Sequence, residues 1–257
     1  MFSTESRIIY SKNQLGEVIC MLQFPEILTI AAKAPADFQE AIRADFPRYA
    51  TLREPVTFHP GNPTQRTQPM INHQFVSEDG LWKINLTSRF VSLACSRYTR
   101  WEDFATRLDK PLAAFIRIYQ PAYFERISLR YLNFISRKNL GLDDTPFAQL
   151  MAPCYLGVLG QEGIQEQSTV RSTVDADFAI RGGCRVKLHA GPGMIRRPGA
   201  ENQDKELKFI FDQDLYIPGK LAVNLSAGAL QTLHAQAWPI FRGAITDTLH
   251  NAMEPND

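Results

Sequence analysis

The chain has 257 residues, of which 44% are hydrophobic, 11% aromatic and 21% charged, a balance that excludes a disordered or fibrous protein. Its 28 lysines and arginines against 27 aspartates and glutamates leave a formal charge of +1, so no net field draws it to nucleic acid or an anionic membrane. Met1 to Arg7 carries Glu5 where a leader peptide would be basic, and the apolar stretch Val18 to Ala32 is broken by Gln23, Pro25 and Glu26. Both features read as a cytoplasmic chain without a membrane span. Cys20, Cys95, Cys154 and Cys184 are scattered with no C-x-x-C pair, which argues against zinc and, in a reducing compartment, against disulfides.

The first predicted element is a mostly buried strand from Glu17 to Phe24, stopped by Pro25. Pro35-Ala36-Asp37 then opens a helix in which Phe38, Ala41, Ile42 and Phe46 fall near one face before Pro47 ends it. Pro55, Pro60, Gly61, Pro63 and Pro69 mark Glu54 to Gln74 as a long irregular connection. His73 to Ser77, the turn Glu78-Asp79-Gly80 and Leu81 to Cys95 read as a hairpin with one long second strand. In that strand Ile84, Leu86, Ser88, Phe90 and Ser92 would share one face, and Lys83, Asn85, Thr87, Arg89 and Val91 the other.

Trp101 to Gln120 carries Trp101, Phe104, Leu108, Leu112, Phe115 and Ile116 at helical spacing, with Pro111 as a kink or a break, and Tyr123 to Ile135 returns as a strand. A short helix is predicted over Thr145 to Met151, and strands over Gln165 to Phe178, Cys184 to Ala190 and Glu206 to Ile217. Gly191-Pro192-Gly193 and Arg196-Arg197-Pro198-Gly199 mark an exposed basic loop between the last two. A long helix over Ser226 to Met253, capped by Ser226 and kinked at Pro239, completes the chain. With no solenoid-period repeat and no low-complexity linker, the expectation is one α+β domain over residues 1–257. It would hold an antiparallel sheet of six or seven strands with long helices on one face, and a first half ordered β-α-β-β-α-β, compatible with ferredoxin-like packing.

Three segments, Gly16 to Pro25, Phe124 to Asn133 and Leu233 to Asp247, resemble a sporadically distributed family of uncharacterised prokaryotic proteins of this length. The resemblance covers nearly the whole chain and implies no catalytic residues, ligand or cofactor. Its patchy distribution implies an accessory role, such as a component of a defence or toxin–antitoxin type operon.

Two constellations could carry chemistry. Arg126, Ser128 and Arg130 alternate on one strand, Lys83, Thr87 and Arg89 on a second, and Arg185, Lys187 and His189 on a third. If Arg89, Arg126, Arg130, Arg185 and Lys187 converged they would line a pocket for phosphate or carboxylate, because guanidinium forks match both. Otherwise they are the wet side of an antiparallel sheet. Asp175-Ala176-Asp177 and Asp212-Gln213-Asp214 each place two carboxylates on one strand face, so neighbouring strands could offer Asp175, Asp177, Asp212 and Asp214 to a divalent metal for phosphoryl chemistry. Otherwise they are solvated carboxylates near strand ends.

The histidines, His59, His73, His189, His234 and His250, lack metal-binding spacing. His234 and Trp238 neighbour each other on the last helix, for stacking or packing as readily as for base catalysis. No nucleophile elbow, P-loop or dinucleotide fingerprint is present. The sequence therefore reads as a non-catalytic binding or interaction protein without a cofactor, whose partner is a protein, a second copy of itself or an anionic small molecule. Nucleic acid ranks below these, since the basic loop lacks interleaved aromatics. The alternative is a metal-dependent enzyme acting on a phosphate-containing substrate.

Overall fold

A computed structural model describes residues 3–54, 70–195 and 204–256. In chain order the elements are β1 (Ile9–Tyr10), β2 (Leu15–Gln23), α1 (Leu28–Ala32), α2 (Ala36–Ile42), β3 (Arg48–Glu54), β4 (Met70–Val76), β5 (Trp82–Leu86), β6 (Phe90–Cys95) and α3 (Trp101–Tyr119). The second half contributes β7 (Phe124–Ile135), α4 (Arg137–Leu140), β8 (Val174–Ala179), β9 (Arg185–Gly193), β10 (Lys208–Leu221), α5 (Ser226–Ala244), α6 (Asp247–Ala252) and β11 (Pro255–Asn256). Most of the Glu54 to Gln74 connection with His59, and the Arg196-Arg197 loop, lie outside the described residues.

Nine strands form one antiparallel sheet in the order β3-β4-β5-β6-β2-β7-β10-β9-β8. The α+β class holds, with more strands than the six or seven expected. Each half repeats one plan: a central strand, a crossover, a meander that returns beside that strand, and a 19-residue helix (β2 to α3, β7 to α5). The long helices and α2 pack on the face carrying Val18, Cys20, Ile127, Leu129, Phe211 and Leu215, and one buried cluster takes residues from both halves. Phe24 meets Phe115 of α3 at 4.8 Å between ring centroids, and Phe211 meets Phe241 of α5 at 6.1 Å.

The first half is not β-α-β-β-α-β. Arg48–Glu54 adds a strand, and the long strand expected from Leu81 to Cys95 is a hairpin, β5 and β6, around Ser88-Arg89. Neither loop residue has positive φ, so no glycine or asparagine betrays the turn. The Thr87 side chain builds it: its Oγ1 accepts the N–H groups of Arg89 at 3.1 Å and Phe90 at 3.0 Å. The turn also restores the alternation, so that Val91, Leu93 and Cys95 share the core face with Ile84 and Leu86. Ser88 and Phe90 are thus not on the face expected for them. We expect Thr87→Val to lower stability by about 1 kcal/mol, the cost of two partly buried turn donors losing their acceptor, read as a lower urea midpoint at unchanged slope.

Five further expectations are corrected. The helix expected over Thr145 to Met151 is a single 3-10 turn, Phe147–Gln149, and the strand expected from Gln165 begins at Val174, after another 3-10 turn at Glu166–Ser168. Gly191 to Gly193 are not loop but the end of β9, paired with β10. The last helix stops at Ala244: Ile245 turns extended to bridge Met151, and Thr246 caps α6 while donating its hydroxyl to the Gln149 carbonyl at 2.7 Å. Ser226 does not cap α5; it is already helical and donates to the Val223 carbonyl.

Candidate functional site

On the face turned away from the long helices, strand register sets functional side chains in rows. Arg130 of β7 lies opposite Asp214 of β10, which lies opposite Lys187 of β9, which lies opposite Asp177 of β8. The next row runs Leu132, Asp212, His189, Asp175. Arg126 and Arg185 belong to the same faces of β7 and β9. The structure thus gathers four of the five predicted cationic residues and all four predicted aspartates on one surface. Arg89 is not among them: it sits in the β5–β6 turn and pairs with Glu26 at 3.0 Å.

The signs alternate by strand, positive on β7, negative on β10, positive on β9 and negative on β8. Arg130 grips Asp212 with two donors, Nε to Oδ1 at 2.8 Å and Nη2 to Oδ2. Arg126 lies 3.8 Å from the centre of the Tyr216 ring and reaches Asp214 at 2.5 Å. His189 pairs with Asp175 at 2.7 Å, and Tyr216 donates its hydroxyl to Asp177. Burial pushes the Asp214 carboxyl above its ordinary value, against the opposing pull of Arg126 and Arg130. The Asp212 pairing and desolvation act oppositely on Arg130, and the pairing prevails to hold its guanidinium above its ordinary value.

These partners bear on both predicted chemistries. The two Asp-x-Asp steps do share a face, but β9 lies between them, about 10 Å apart by strand spacing, with Lys187 and His189 in the gap. Among the described residues no group of three or more histidine, cysteine or acidic side chains is placed to hold a metal. An anion would meet arginines already holding aspartates. Among the described residues Lys187 and Arg185 form no ion pair. Toward β4, β5 and β6 the same face changes character: Gln74 Nε2 donates to Asn85 Oδ1 at 2.9 Å, and Asn85 Nδ2 to Ser92 Oγ at 3.2 Å. Ile19 and Met21 of β2 lie between the amide ladder and the charged rows.

A second polar cluster, not predicted, lies on the helix side of the central strands. His234 of α5 is 8% exposed and stacks on Trp101 of α3, centroids 4.5 Å apart at 10°, rather than on Trp238, whose indole N–H donates to the Glu5 carbonyl. Arg7 Nη1 lies 3.0 Å from His234 Nε2, and Tyr131 Oη 2.8 Å from Nδ1. A guanidinium can only donate, which makes Nε2 the acceptor and places the imidazole proton on Nδ1, donated to Tyr131. Burial, reinforced by the Arg7 charge, pushes the His234 pKa down from 6.5 to about 4. Beside it Gln213, opposite Tyr131 in the strand register and 2% exposed, leaves its Oε1 without a partner. Sequence reading passed over Gln213 as the middle of Asp-x-Asp; its signal was a polar residue on the alternation that carries Phe211 and Leu215.

No helix among the described residues is long and apolar enough to cross a membrane. No protein-family model matches the chain, and no curated protein matches it.

Proposed function

We propose that this protein is a non-catalytic binding subunit that works by burying the charged face of its sheet against protein, and that the occupant is a second copy of the chain. The reading rests on the row Arg130, Asp214, Lys187, Asp177. An even number of alternating charges is antisymmetric about its midline. A two-fold axis along the strands, midway between β10 and β9, therefore sets Arg130 against the partner's Asp177 and Asp214 against the partner's Lys187. Every contact within that row then joins opposite signs, as a self-complementary isologous interface requires. The metal-dependent alternative would require the four aspartates to leave Arg126, Arg130, His189 and Tyr216 and to close across β9. In the family that the chain resembles, such a subunit would suit the accessory role stated above.

The test is sedimentation equilibrium at low and high salt on the wild type, Asp177→Lys, Arg130→Asp and their mixture. The wild type is expected to dimerise, more weakly in high salt because the contacts are charged. Each variant alone places like charges together and should associate at least tenfold more weakly, while the mixture should recover a dimer at wild-type strength. A wild type that stays monomeric at high protein concentration would overturn the reading, as would variants that associate like the wild type.

A further inference from the structure

Gln213 and Arg7 both border a partly open cavity of about 80 Å³ under the N-terminal segment and α5, on the side of the sheet opposite the proposed protein surface. At roughly 10–15 Å³ of such space per water-sized group, it holds about six non-hydrogen atoms. Its walls are otherwise largely apolar, with Leu15, Ala237, Phe241 and Met253 among them. A buried carbonyl without a donor is costly, so Gln213 Oε1 calls for an occupant that donates a hydrogen bond. Arg7 can receive an anion: the groups that accept from it, His234 and the Tyr98 hydroxyl, are neutral, and its ion pair with Glu102 is long, at 3.9 Å, and partly solvated.

We propose that this cavity binds a small carboxylate carrying a hydroxyl on the adjacent carbon, with the carboxylate at Arg7 and the hydroxyl donating to Gln213 Oε1. A 2-hydroxy acid of three carbons has six non-hydrogen atoms and a methyl group for the apolar wall. Water alone could satisfy Gln213, whereas a carboxylate would also engage the guanidinium that borders the same space. The N-terminal segment forms one wall of this partly open cavity through Ile8, Ile9 and Tyr10. Tyr10 Oη is held to His250 Nδ1 at 2.8 Å, and β1 pairs with β11, which fixes this side of the wall.

The experiment is a calorimetric titration of the full chain with L-lactate, with propionate, which lacks the hydroxyl, and with 1,2-propanediol, which lacks the carboxylate. Lactate is expected to bind saturably, and each analogue at least tenfold more weakly, because each leaves one polar group unmet. Gln213→Met, close in volume, should bind lactate and propionate alike. Arg7→Met should lose most lactate affinity while retaining cooperative unfolding. The proposal is overturned if lactate binds no more tightly than propionate, if Gln213→Met keeps the preference, or if none of the three binds at millimolar concentration. None of these outcomes depends on self-association through the opposite face.

Discussion

Gly191→Ala is expected to lower the unfolding free energy by about 3 kcal/mol, from steric overlap together with backbone strain. A Cβ at this position would lie 2.4 Å from the carbonyl oxygen of Ser172 and 3.1 Å from the Thr173 Cα, both main-chain atoms. The residue has φ +155°, outside the region that side-chain-bearing residues ordinarily adopt. Backbone cannot rotate aside as a side chain can. Gly193 supplies the contrast two residues on: there a Cβ would meet the Cδ1 end of Ile210 at 2.6 Å. Gly193→Ala should therefore cost about 1 kcal/mol or less, because Ile210 can change rotamer. Urea unfolding of the two variants checks the pair of values. The close approach at Gly191 fixes the chain entering β8 against β9, and so sets Asp175 and Asp177 beside His189 and Lys187.

The second large effect is a dependence on pH. His234 is neutral in the folded protein down to about pH 4, whereas in the unfolded chain it takes up a proton near pH 6.5. Between those values the unfolded state binds more protons than the folded one, so stability falls as pH falls. The window from about 6.5 to about 4 corresponds to a loss of about 3 kcal/mol, absent above pH 7. His73 contributes in the same direction, since burial also lowers its pKa; Asp214, with its raised carboxyl, opposes it at the acid end. Subtracting the stability profile of His234→Gln from that of the wild type isolates the His234 contribution. The difference should be flat above pH 7 and decline through pH 5; a flat difference throughout would mean that His234 takes up its proton at the same pH folded as unfolded.

The open-face site was more legible in the sequence than the cavity. Arg126, Ser128 and Arg130 alternate on a strand as period-two spacing demands, and Asp212 and Asp214 do the same. That Arg130 would spend its charge on Asp212 was not readable, because the two residues are 82 positions apart and strand order alone makes β7 and β10 neighbours. The same order put β9 between the two Asp-x-Asp steps, removing the adjacency that a shared metal needs. Arg7, Tyr131, Gln213 and His234 come from four separate stretches of chain, and none of them has a spacing relation to another. No local pattern could have announced the cavity they border.

What the sequence determined by itself is local: the periodicity that makes Trp101 to Tyr119 and Ser226 to Ala244 helices, the alternation that makes β2, β7 and β10 strands, and the Asp-Gly turn at Gly80. These follow from contacts within a few residues, where 3.6-residue and two-residue repeats and glycine's free φ act directly. Only the tertiary structure decided that Thr87 would bond its own turn and split a long apolar run, that Ile245 would leave the last helix to bridge Met151, and that nine strands would join one sheet. In each case burial and hydrogen-bond demand arising from distant chain outweighed the local preference. The ion pairs of the open face and the unmet carbonyl of Gln213 arose in the same way, since their surroundings exist only once the two halves are side by side.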